Sequence, residues 1–70
     1  MNSYQRRKAR LIAGTLLLAA IASEIPTSQL PVLVAKMSHR EWVTVSLQAG
    51  VPVAEHAARV LVVAYLQRLA

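Results

Sequence analysis

A chain of 70 residues allows one domain and no more. It has no cysteine, so disulfides and thiolate metal sites are excluded, and a core this small looks to a second copy of itself for support. The hydrophobic fraction of 56% with two glycines and no Phe favours packed helices, while a net charge of +5 points to an acidic partner such as nucleic acid, anionic lipid or an acidic protein face.

Arg6, Arg7, Lys8 and Arg10 stand just before the longest apolar run, Leu11 to Ala22. Together with Ala20-Ile21-Ala22 they have the layout of a secretory signal, with a basic start, an apolar middle and an A-x-A end. About twelve residues at ~1.5 Å each cover only ~18 Å, short of a hydrocarbon core of ~30 Å. The run is therefore read as a buried helix, predicted over about 6–24, with Met1 to Gln5 as a frayed start. A cleaved signal and a short membrane anchor are the alternatives. Only Thr15, Ser23 and Glu24 interrupt the apolar surface, so such a helix needs neighbours all round. Cations at its start oppose the helix dipole; they either serve a partner or form a solvated first turn that adds solubility.

Pro26 disfavours helix at Ile25 and ends the first element. Thr27 or Ser28 can cap a second helix over 28–37, with Pro31 in its first turn, where a missing N–H does no harm. Ser38-His39-Arg40-Glu41 has the form of a capping box and predicts a third helix over 39–48. The β-branched alternation after Trp42 also suits a half-buried strand over 42–48; the box and the lack of a second strand candidate favour helix. Gly50 and Pro52 then mark a break before a fourth helix over 52–69. The expected fold is an all-α, compact four-helix single domain. Because the first and fourth helices are apolar around most of their circumference, a homodimer is expected, with Leu17, Ile21, Trp42, Val62 and Leu66 as interface candidates, although a lone Trp on a helix is more often a core residue.

The short helix, the Ala49-Gly50-Val51 turn and the helix after it, residues 39 to 62, resemble the helix-turn-helix superfamily of bacterial repressors. That resemblance covers about a third of the chain and implies a small dimeric DNA-binding transcriptional regulator, of the size found in mobile elements and operon autoregulators. The chain departs from the pattern at His56 and Arg59, which fall where the superfamily usually buries apolar side chains. The presumed recognition helix also begins Pro52-Val53-Ala54-Glu55, with few donors for base edges. Candidate contacts to DNA or an acidic partner are Arg6, Arg7, Lys8, Arg10, Lys36, His39, Arg40, His56 and Arg59. The runner-up reading is a protein-binding inhibitor or adaptor, and a membrane-associated helical peptide stands third.

No metal, cofactor or catalytic group is expected. The two histidines lie far apart, Asp is absent, and the only acids are Glu24, Glu41 and Glu55. The expected location is the cytoplasm.

Overall fold

The computed structural model describes residues 3–51 and 56–69. Four α-helices run in the order α1 (Ser3–Ala22), α2 (Leu30–Ala35), α3 (His39–Gln48) and α4 (His56–Leu69), with a 3-10 turn at Thr27–Gln29 before α2. No strand occurs among the described residues, so the all-helical expectation holds. The expected start of the fourth helix at Pro52 lies outside the described residues.

α1 spans the long dimension of a molecule measuring 31 × 23 × 18 Å. It starts earlier than expected. Ser3 to Gln5 form its first turn, and Lys8 lies 4.2 Å from the Tyr4 ring centroid, a contact at helical i, i+4 spacing that fastens that turn. α1 also stops two residues sooner, at Ala22. Glu24 N–H donates to the Ile21 carbonyl and Ile25 N–H to the Ala20 carbonyl, and Glu24 takes a left-handed φ of 56°. This bond pair is a Schellman ending, which normally places glycine where Glu24 stands. α3 ends the same way, with Gly50 N–H on the Leu47 carbonyl, Val51 N–H on the Ser46 carbonyl, and Gly50 at φ 78°. The two endings differ only in who bears the left-handed strain. Glu24→Gly is therefore expected to stabilise the protein by ~1 kcal/mol, the left-handed penalty of a side-chain-bearing residue. For a domain of this size that raises the thermal midpoint by about 4–8 °C, measurable by circular dichroism. An unchanged or lower midpoint would count against the left-handed turn.

The segment before α2 departs from the single 28–37 helix. Ser28 sits inside the 3-10 turn, closed by Gln29 N–H on the Pro26 carbonyl, and makes no capping bond; Gln29 occupies the cap position of α2. Pro31 lies in the first turn of α2, as expected. α2 is only six residues long, and Leu30 opens it with helical dihedrals (φ -61°, ψ -42°) although it precedes Pro31.

α3 follows the prediction. Glu41 N–H donates to Ser38 Oγ at 3.1 Å and Ser38 N–H donates to Glu41 Oε1 at 3.2 Å, so two free donors at the helix start are satisfied reciprocally. The Ser38 backbone N–H, and then its side chain, hold the Glu41 carboxyl below its ordinary range. The strand alternative fails because the hydroxyls find partners inside the helix. Thr44 donates to the Arg40 carbonyl at 3.0 Å and the buried Ser46 to the Trp42 carbonyl at 2.8 Å.

The core is drawn from every helix: Ala9, Ile12, Ala13, Leu16 and Ala20 of α1, Leu30 and Val34 of α2, Trp42 of α3, and Ala58, Val62 and Leu66 of α4, with Val51 closing it. Trp42 is its largest member and is 2% exposed. Trp42, Val62 and Leu66 thus bury against their own chain and present nothing to a second copy. Their apolar surface is what α4 and α3 lay on α1. The expectation of an α1 covered all round is not met within one chain, because its neighbours pack on one side and leave Leu11, Leu18 and Ile21 exposed.

Candidate functional site: a basic end built from three helix termini

The direction of the helices follows from which residues share a cleft. Gly50 and Val51, at the end of α3, line one with Tyr4, Arg7, Lys8 and Leu11 from the start of α1. Tyr65 and Arg68, at the end of α4, line another with Arg6. At the far end Glu41, in the first turn of α3, shares a groove with Ala19 and Ser23 of α1. Both α3 and α4 are therefore antiparallel to α1.

This topology answers the electrostatic objection raised by the sequence. Cations in the first turns of α1 oppose that helix's own dipole, yet α3 and α4 bring their carbonyl ends to the same place. A cation beside a helix C-terminus gains ~0.3–1 kcal/mol, which offsets the penalty. Arg7 and Lys8 stand beside the end of α3, Arg6 stands beside the end of α4, and Arg68 lies in the last turn of α4 itself. The cluster is thus tolerated by the fold, and it is also concentrated. Arg6, Arg7, Arg10 and Arg68 are exposed, and among the described residues neither carboxylate lies at this end: Glu24 follows the far end of α1 and Glu41 opens α3.

The candidate residues named from the sequence therefore divide into two groups. Arg6, Arg7, Lys8 and Arg10 converge, and Arg68 joins them. Sequence reasoning passed over Arg68, although a cation in a helix's last turn was a readable signal; only the antiparallel packing of α4 shows whose company it keeps. Lys36, His39, Arg40, His56 and Arg59 lie at the other end. Lys36, His39, Arg40 and His56 are exposed there.

Arg59 has a different occupation. Its Nη1 donates to the Met37 carbonyl at 2.6 Å, and its guanidinium carbon lies 5.1 Å from the Trp42 ring centroid. It is half-buried and ties α4 to the segment joining α2 and α3. The helix that would read DNA is packed on α1 and α2, and its exposed donors for base edges are His56, Gln67 and Arg68. Of the interface candidates outside the core, Leu17 is half-buried and Ile21 is exposed.

Tyr4, Leu11, Leu47 and Leu69 are all exposed at or near the basic end. The surface is therefore cationic with apolar fingers. Among the described residues no group of three His, Cys, Asp or Glu side chains could hold a metal ion, and no helix is long and apolar enough to cross a membrane. Compared with protein-family models, curated proteins and solved structures, the chain matches none.

Proposed function

We propose that this protein is a small non-catalytic regulator that docks its basic end on the phosphate backbone of DNA. The observation that supports this most is the convergence of Arg6, Arg7, Lys8 and Arg68 at three helix termini, with Arg10 one turn beyond Arg6 on α1 and no carboxylate among the described residues there. Contacts of this kind supply affinity and position, and little base-sequence information. A helix-turn-helix mode with α4 in the major groove draws less support, because Arg59 is engaged within the fold.

The test is a duplex-DNA titration across a range of salt concentrations. The affinity of the wild-type chain is expected to fall steeply with salt. Arg6→Ala and Arg68→Ala are each expected to reduce the slope of log K against log salt by about one, because each releases roughly one counterion fewer. Arg40→Ala, at the other end, is expected to leave the slope unchanged. Equal slopes for all three variants would sink the reading.

A second reading is favoured by Leu47 and Leu69, which stand exposed near the cations where a phosphate backbone has no use for them. An acidic protein surface with an apolar centre would use both. In that case Leu69→Ser would weaken binding as much as Arg68→Ala, and salt would matter less.

A further inference from the structure

Tyr4, Leu11 and Leu18 recur at every seventh residue of α1, on the side opposite Ile12 and Leu16, and all three are exposed. An amphipathic helix on a small domain turns polar on that side. Beyond Arg7 this one stays apolar, with Leu18 71% and Ile21 70% exposed. Gly14 lies on the same stripe between Leu11 and Leu18. Glycine is a poor residue for the middle of a helix, and among the described residues nothing beyond its chain neighbours and its own helix backbone lies within 4 Å of the place its Cβ would occupy. Nothing among the described residues requires it.

We propose that this stripe is the interface between two copies of this chain, with their α1 helices side by side and antiparallel. Charge sets the direction. A parallel pair would bring together two clusters of four cations, Arg6, Arg7, Lys8 and Arg10 from each copy. In the antiparallel pair each cluster lies along the second half of the partner's α1, which carries no cation. The carbonyl end of the helix dipole and Glu24 stand at its close. Spacing sets the register. With the two-fold axis crossing α1 between Ile12 and Ala13, Leu11 of one copy enters the notch over the partner's Gly14. Tyr4 then meets the partner's Ile21, and the methylene stem of Arg7 lies along the partner's Leu18. Each contact occurs twice, as a two-fold interface demands. The missing Cβ at Gly14 is what lets the two backbones approach.

The absence of cysteine makes the test clean. Light scattering on the full chain is expected to give twice the 7.6 kDa chain mass. Leu18→Glu, at a side chain facing solvent in the single chain, is expected to halve that mass with helicity unchanged. Gly14→Met, which improves helix propensity and fills the notch, is expected to do the same and decides the matter should Leu18→Glu fail to fold. On mild oxidation the double variant Tyr4→Cys/Ile21→Cys is expected to run as a covalent dimer, while Leu18→Cys alone stays monomeric. A monomeric wild-type chain, a dimer that survives both Leu18→Glu and Gly14→Met, or ready cross-linking of Leu18→Cys would each overturn the proposal. So would a monomer that binds phosphatidylglycerol vesicles through Leu18. None of these measurements involves DNA, so the outcome is independent of the polyanion reading.

Discussion

Trp42→Ala is expected to unfold most of the chain at room temperature. Removing a buried Trp costs ~3–5 kcal/mol through lost burial and the cavity left behind. A domain of this length holds about 0.05–0.15 kcal/mol per residue in total, so one substitution consumes a large share of the whole. Trp42 is the largest fully buried side chain and the principal contribution of α3 to the core; without it, little else apolar holds α3 down. The guanidinium of Arg59 would also lose the ring it lies over. Trp42→Phe keeps an aromatic face and most of the volume and is expected to cost much less. Helicity followed by circular dichroism during urea unfolding measures both variants without relying on the lost fluorophore. An Ala variant with a near-native midpoint would mean that Trp42 is not the centre of the core.

The parts of this fold that were legible in the sequence are those whose physics is local. Ser38 and Glu41 lie three residues apart and form their reciprocal bonds whatever else the chain does, so α3 was readable despite its β-branched content. Gly50 announced the end of that helix because a left-handed position suits glycine. Glu24 performs the same task at the end of α1 without announcing it, and the expected helix of 6–24 took it in as the last residue. What stayed hidden depends on residues distant in sequence. Arg59 read as a candidate contact to DNA or an acidic partner because the carbonyl it bonds belongs to Met37, 22 positions away. The basic end was half visible as the Arg6 to Arg10 run, but Arg68 joins it only through the antiparallel packing of α4. In the same way α1, read as apolar on all sides, could not disclose which side the chain would leave bare.

Arg59→Ala is expected to lower stability by about 2–4 kcal/mol, well beyond the few tenths typical of a surface arginine. Two losses combine. A charge-assisted hydrogen bond contributes ~1.5–3 kcal/mol, and a cation over an aromatic ring ~0.5–1 kcal/mol when part-exposed. The Met37 carbonyl would also be left without this partner at the junction where α2 hands over to α3. Arg59→Lys is expected to recover only part of the loss, since an ammonium lacks the planar fork that can bond a carbonyl and lie over Trp42 at once. Urea midpoints give these costs, and an unchanged dependence on denaturant would show that the unfolding transition itself is the same. The same variant decides what α4 is for. At low temperature, where enough Arg59→Ala remains folded to titrate, its DNA affinity is expected to match the wild-type chain within about twofold, roughly 0.4 kcal/mol. Arg6→Ala and Arg68→Ala are expected to behave in the opposite way, keeping stability and losing affinity. The reverse pattern, with Arg59→Ala stable but unable to bind, would move the DNA contact from the basic end to α4 and make that helix the reader after all.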